Sequence, residues 1–174
     1  DFPIIIQDRF FTADGDMIYD SSPMAILHGS RGNTIIVNGM YGPVAEVPKG
    51  VVRLRLLNGA NARNFRLVFD DYRPMHVVAN DNGLLAKSVP VTELTISPGE
   101  RYEVLVDFSD GVVSALLTYP DQSGRPTTAL SDTINAIVSE PKYILTPVMR
   151  FDPVDELSVV TKLIPEKLAD LPSP

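Results

Sequence analysis

Histidine and methionine are the residue types in this sequence that could bind a soft metal ion. His28 lies in a predicted loop, and His76 directly follows Met75 on a predicted strand. Thioether and imidazole ligands together suit Cu(I). Met24, Met75 and the two histidines share no repeating spacing, however. We therefore interpret them as ordinary core or surface residues and predict no metal ligand among them.

A second group with possible chemistry is a set of aspartates near the start of the chain. Asp14, Asp16 and Asp20 surround Gly15, which suggests a calcium-binding loop. The glycine and the distal glutamate do not lie at the offsets that such a loop requires. The same composition is typical of a polar turn between two strands. The sequence therefore predicts a solvated hairpin tip here.

Four further carboxylates lie next to predicted turns: Asp81, Glu100, Asp107 and Asp110. Glu100 and Arg101 follow a Pro-Gly pair, so we predict a salt bridge or a cap on the turn backbone. No nucleophile, no phosphate-binding loop and no evident pair of carboxylates accompanies them. We predict no catalytic and no cofactor-binding residue in this chain.

Composition excludes several classes of function. The net charge is −7 and the pI is about 4.7, which argues against nucleic acid and anionic membrane as partners because both require a basic surface. There is no Cys, and therefore no thiolate nucleophile, thiolate metal site or disulfide. The apolar runs are too short for membrane insertion. At 174 residues and 44% hydrophobic content, we predict one globular domain.

The strand that organises the rest of the chain is predicted within residues 51–63. Val52, Leu54 and Leu56 alternate with Arg53 and Arg55, which indicates one buried and one solvated face. The Asn-Gly pair at 58–59 predicts a tight turn, with positive φ allowed at Asn58. We expect the side chains of Asn61 and Arg63 to form hydrogen bonds with loop backbone and so to fix this strand–turn–strand corner, residues 51–70.

Short strands of the same period continue on both sides of this segment. They are separated by turn residues about every 8–12 positions, which favours an all-β, Greek-key sandwich or barrel. The predicted strands are 2–11, 17–19, 34–38, 51–57, 64–70, 75–80, 94–96, 102–107 and 113–119. Residues 7–9 read as a polar edge and 21–32 as a loop, and no helical period precedes residue 120.

The last third of the chain is less regular. Residues 120–141 predict a long surface excursion, and 143–151 a closing strand that Pro147 restricts to an edge or a bulge. Residues 154–174 are rich in proline and predict an extended linker to a following domain. We therefore place a domain at 1–153, and we expect it to be part of a longer protein.

Five segments in chain order resemble one protein family. They are residues 6–9 (IQDR), 32–39 (GNTIIVNG), 53–63 (RLRLLNGANAR), 81–85 (DNGLL) and 98–107 (PGERYEVLVD). Together they resemble the middle cupredoxin-like domain of bacterial three-domain multicopper oxidases. The copper-efflux metallo-oxidases and the copper-free FtsP (SufI-like) proteins are the most similar groups. Arg31, Asn82 and the lack of Trp depart from the family pattern.

The resemblance implies a non-catalytic domain between two copper-bearing ones. In the oxidases, a type 1 copper and a trinuclear cluster couple substrate oxidation to reduction of dioxygen to water. A blue-copper centre needs two His and one Cys, so we expect no copper in this chain, and copper only in a parent oxidase. The implied partners are the flanking cupredoxin domains, with self-association of the fragment through an exposed face.

Three hypotheses for function therefore stay open. The chain is a brace within a copper oxidase, a domain of a copper-free FtsP-like protein that acts by protein–protein contact, or an isolated binding module. The resemblance implies a periplasmic or otherwise exported location. The sequence upstream and downstream discriminates among the three.

Overall fold

The computed structural model describes residues 1–121, 144–158 and 163–169. These residues form two packed β-sheets and one short helix. The elements are β1 (Phe2–Phe11), β2 (Met17–Ile18), α1 (Pro23–His28), β3 (Thr34–Val37), β4 (Met40–Tyr41), β5 (Val44–Pro48), β6 (Val51–Asn58), β7 (Phe65–Phe69), β8 (Met75–Asn80), β9 (Gly83–Val91), β10 (Glu93–Ile96), β11 (Arg101–Asp107), β12 (Ser114–Thr118) and β13 (Thr146–Val154).

The larger sheet has the strand order β4-β3-β1-β6-β11-β8-β9, and β2 pairs with β1. The smaller sheet has the order β10-β7-β12-β13-β5. Two pairings are parallel, β1 with β6 and β13 with β5, and the other pairings are antiparallel. The prediction of an all-β, cupredoxin-like sandwich is confirmed. The organising strand β6 lies between β1 and β11, near the middle of the larger sheet.

The core lies between the inner faces of the two sheets. Val52, Leu54 and Leu56 on β6 are buried as the alternation predicted. In the same core, the rings of Phe69, Phe108 and Phe151 pack with centroids 5.3 to 6.2 Å apart. Aromatic rings at these separations add packing energy beyond the area that they bury. These layers hold the loops at the ends of the strands in fixed positions.

The segment 21–32 corrects one prediction, because it contains the helix α1 where we predicted a loop. Ser22 Oγ accepts a hydrogen bond from Ala25 N at 3.2 Å, and Pro23 occupies the first turn. An N-cap serine followed by proline is a helix start signal, which is visible in the sequence. Six residues are too few to show a helical period. The described residues contain no helix long and apolar enough to cross a membrane.

The closing strand and the segment after it extend the body of the sandwich. At Pro147 the pairing of β12 with β13 shifts register, which confirms the predicted bulge. Val154 still belongs to β13, and Asp155 pairs with Lys49 at 2.7 Å. Farther on, Leu168 N donates to Ala86 O at 3.0 Å. The predicted excursion lies outside the described residues from 122 to 143, as do residues 159–162 and 170–174 of the predicted linker.

Candidate functional site

A buried ion pair holds the corner where β1, β3 and the turn after β6 meet. The Asp8 side chain is 1% exposed and pairs with Arg63 Nε at 2.8 Å. Its Oδ2 atom also accepts from Gly32 N at 2.7 Å, and Arg63 Nη2 donates to Gly32 O at 2.7 Å. The prediction that Arg63 binds loop backbone is correct. The prediction of a polar edge at Asp8 is wrong, because its charge is compensated inside the fold.

Asn58 is the second polar side chain that fixes this corner. It is 1% exposed, and its Nδ2 atom donates to Arg63 O at 2.8 Å and to Ile96 O at 2.9 Å. Its Oδ1 atom accepts from Ala60 N at 2.9 Å. The positive φ that the sequence allows at Asn58 is not adopted, and the predicted bracing role of Asn61 is wrong. Asn58 ends β6 outside the left-handed region, and Asn61 is exposed.

Two glycines, Gly29 and Gly32, allow the segment after α1 to pack closely against the corner. A Cβ atom on Gly32 would lie 2.3 Å from Arg9 N. A Cβ atom on Gly29, where φ is 84°, would lie 2.2 Å from the Cβ atom of Ala62. Only glycine allows both approaches. The end of α1 is therefore pressed directly onto the corner.

Arg31 ties the carboxyl end of α1 to the body. Its Nη1 atom donates to His28 O at 2.7 Å, and its Nε atom pairs with Asp121 at 2.8 Å. The Asp121 side chain is 4% exposed. A cation at the last carbonyl groups of a helix also interacts favourably with the helix dipole. The helix is therefore held in place from its end, although none of its residues is buried.

We name the segment that the corner holds, residues 10–28, the apolar tip. It contains the end of β1, the whole of β2, and α1. Its exposed fractions reach 77% at Ile26, 73% at Leu27 and 70% at Tyr19. The other large apolar side chains exposed here are Phe10, Met17, Ile18 and Met24. Several large apolar side chains exposed within one short segment are a feature of interaction surfaces.

Aspartates form the polar part of the same tip. Asp14 and Asp16 lie in the turn between β1 and β2, where Thr12 N donates to Asp16 O at 2.9 Å. Asp20 accepts from Ser22 N at 2.9 Å just before α1. The described residues give none of these three carboxylates a salt-bridge partner. The solvated hairpin is confirmed, and it has an uncompensated negative charge.

The histidines and methionines do not form a site that fits copper. His28 is exposed at the end of α1, which follows β1 and β2 in the chain, while His76 is partly buried on β8. Two strands separate β8 from β1, so the two strands lie roughly 14 Å apart. Met75 is buried in the core and Met24 is exposed. Within the described part of the chain, no three His, Cys, Asp or Glu side chains could hold one metal ion.

The carboxylates near turns have structural partners. Glu100 accepts from Ser97 N at 2.7 Å, which confirms the predicted cap on the turn, and Asp81 pairs with Arg101 at 3.1 Å. Asp107 accepts from Ser109 N at 2.9 Å. Asp110 pairs with the buried Arg73 at 3.2 Å. These contacts close turns, and none brings two carboxylates together for acid–base chemistry.

Among the described residues, two carboxyl groups have a lowered pKa. Partial burial raises the pKa of Asp71, but hydrogen bonds from Arg73 and the charge of that guanidinium reverse this, so the net pKa is lowered. The pKa of Glu93 is lowered by the hydrogen bond from Tyr119, at 2.7 Å, and by Arg66. The same contact raises the pKa of Tyr119. Both carboxyl groups therefore stay ionised at pH values below the ordinary pKa of their residue type; Asp71 lies in the turn after β7, and Glu93 lies on β10.

Comparison with known families agrees with this architecture. The family described as "Multicopper oxidase" matches residues 3–119, which run from the second residue of β1 to just past the end of β12. The chain belongs to the multicopper oxidase family. Among curated relatives, the cell division protein FtsP of Sodalis glossinidius is 41% identical and FtsP of Escherichia coli is 38% identical, each over 170 residues. That alignment covers 97% of this chain and 34% of each relative.

Solved structures of family members are similar over nearly the whole chain. The laccase-like multicopper oxidase CueO from Ochrobactrum sp. is 43% identical with a TM-score of 0.82, and McoA from Aquifex aeolicus is 31% identical with a TM-score of 0.74. Each match covers 99% of this chain, but only 34% and 35% of the other chains. The chain therefore spans about a third of the length of these family members.

Proposed function

We propose that this chain is a middle cupredoxin-like domain that braces flanking cupredoxin domains and holds no copper itself. The lack of a copper-ligand set in this chain supports the proposal. With no Cys and two histidines on different parts of the sandwich, the chain lacks the ligands of a blue-copper centre. Residues 1–153 form the brace, and 154–174 lead to the next domain. In a parent oxidase, the flanking domains bind copper and couple substrate oxidation to reduction of dioxygen to water.

A second candidate is a domain of a copper-free FtsP-like protein that acts through protein–protein contact. The similarity to proteins named for cell division supports it, with identities of 38% and 41% over 97% of this chain. Both candidates place the parent protein in the periplasm or another exported location. The sequence flanking this chain separates them. His-x-His upstream with His-Cys-His downstream selects the oxidase, and their absence selects the FtsP-like protein.

Metal analysis of the isolated chain tests the brace proposal. After dialysis against a copper salt and then against buffer, we expect far less than one copper per chain and no oxidation of a phenol or of Cu(I). A His28→Ala, His76→Ala double variant is the control for weak surface binding. One tightly bound copper per chain would refute the proposal, and its loss in the double variant would identify the histidines as its ligands.

A further inference from the structure

We propose that the apolar tip, residues 10–28, is the docking surface for a neighbouring cupredoxin-like domain of the same polypeptide, whose facing surface has an apolar centre and a basic rim. This rests on the proposed function as a brace, and it names the surface that does the bracing. The first observation is the state of α1. The helix has no buried residue, yet its end is held by Arg31 and by the close approach of Gly29 to Ala62.

An exposed helix whose end is held in place distinguishes the apolar tip from a loose surface loop. A six-residue helix is not stable in water by itself, because most helical stability in proteins comes from packing of an apolar face. Within the described residues, the apolar side chains of α1 face solvent. The fold therefore presents Met24, Ile26 and Leu27 in a fixed arrangement for another surface to cover.

The charge of the tip defines the partner. Asp14, Asp16 and Asp20 lie beside the apolar residues, and no described cation compensates them. In a dimer in which two copies of the tip face each other, these carboxylates would repel. A surface with Lys or Arg around an apolar centre complements them, because opposite potentials across an interface fix its register.

The dimensions allow a neighbouring domain to reach the tip. Asp1 pairs with Arg53, and Asp155 pairs with Lys49. Asp1 and Asp155 therefore both lie near the start of β6. Phe10 lies eight residues beyond Phe2 on β1, roughly 26 Å away along the sheet. A domain of this length is roughly 40 Å across, so it spans that distance. The relatives extend to about three times this length.

Thiol labelling tests the proposal, because the chain has no Cys of its own. Ile26→Cys places a thiol on the tip, and Leu84→Cys is the matched control, exposed at 51% on β9. Each variant is labelled with a maleimide in the isolated chain and in the full polypeptide encoded by the gene. The full polypeptide without either substitution gives the background of any flanking cysteine.

We expect the labelling rate of Ile26→Cys to fall about tenfold or more in the full polypeptide, since the undocked state then has a minor population. Leu84→Cys should change by less than about twofold on the same reasoning. Asp14→Lys with Asp16→Lys should raise the labelling rate of Ile26→Cys in the full polypeptide at low salt. A labelling rate for Ile26→Cys that is the same in both backgrounds overturns the inference.

Two further results separate this inference from the proposed function. If Ile26→Cys stays reactive while all domains of the full polypeptide unfold in one transition, the brace stands but uses another surface. If Ile26→Cys stays reactive and the domains unfold separately, both proposals fail. Slower labelling of the isolated chain as its concentration rises identifies a second copy as the occupant, which also overturns the inference.

Discussion

At the residue scale, buried polar side chains with several partners fix the corner that supports the tip. Asn58 and Asp8 act through hydrogen bonds to backbone that lies far away in sequence, such as Asn58 to Ile96 O, 38 residues away. A buried polar group that loses its partner costs free energy, whereas an exposed one does not. Because Asn58 is buried and Asn61 is exposed, we expect Asn58 to contribute to stability and Asn61 to contribute little.

Asn58→Ala should lower the free energy of unfolding by about 2–4 kcal/mol. The substitution leaves the carbonyl groups of Arg63 and Ile96 and the amide of Ala60 without this partner. Asn61→Ala is the matched control, and it should change stability by less than about 0.5 kcal/mol because Asn61 is exposed. Urea unfolding followed by circular dichroism measures both. Equal losses for the two variants would contradict the assignment.

Arg63→Met should destabilise the chain by roughly 3 kcal/mol, because it leaves the Asp8 carboxylate buried with no counter-ion. Asp8→Asn in the Arg63→Met background should recover part of the loss, since the uncompensated charge is then absent. A double-mutant cycle from thermal or urea unfolding gives the coupling between them. Strictly additive effects would show that the pair contributes nothing beyond its separate contacts.

Tyr119→Phe should raise the pKa of Glu93 toward its ordinary 4.5, because the strongest contact that lowers it is the hydrogen bond from Tyr119. A carboxyl group whose pKa is lower in the folded state stabilises the chain at pH values above its unfolded-state pKa. That stabilisation is lost as the pH falls through the folded-state pKa. The variant should therefore lose less stability than the parent between pH 5 and about pH 3. Carboxyl NMR titration measures the shift, and an unchanged pKa would be the contrary result.

At the element scale, most strands could be predicted because their alternation is local, but β4, β5 and β9 were not among the predicted strands. The pattern of β6 needs only neighbours two positions apart. The helix α1 is too short for a period, and only Ser22 and Pro23 indicate it. Burial of Asp8 could not be predicted, because it depends on Arg63, which lies 55 residues away. An exposed face was expected, but its position at the apolar tip could not be predicted, since exposure depends on what the rest of the fold leaves uncovered.

Gly32→Ala should destabilise the chain by about 1–3 kcal/mol or more, because the added Cβ atom meets the backbone of Arg9 at 2.3 Å and one strand must move. Gly59→Ala is a suitable control, since its Cβ atom meets the side chains of Gln7 and Ile5 at 3.1 Å. Neither glycine has positive φ, so the comparison isolates close approach. Similar melting temperatures for the two variants would contradict the packing described for the corner.

At the scale of the whole molecule, β13 is the last strand of the described residues, and the described segment after it makes one backbone hydrogen bond to the body, from Leu168 to Ala86. Truncation after residue 158 should keep the cooperative unfolding transition, with loss of the Leu168 contact to Ala86. Truncation after residue 145 removes β13 and should abolish the transition, because β12 and β5 then lose the strand between them. Circular dichroism during heating distinguishes these outcomes, and a folded 1–145 chain would contradict the boundary.

The position of β13 also has a consequence for synthesis on the ribosome. Within the described residues, β5 joins the smaller sheet only through β13, and Pro48 pairs with Val154, which lies 106 residues later in the chain. At about 5–20 residues per second, β5 waits roughly 5–20 s for its partner strand to be translated. During that interval its edge is open to pairing with other nascent chains. Export before folding, or a chaperone bound at this edge, would protect the nascent chain from aggregation.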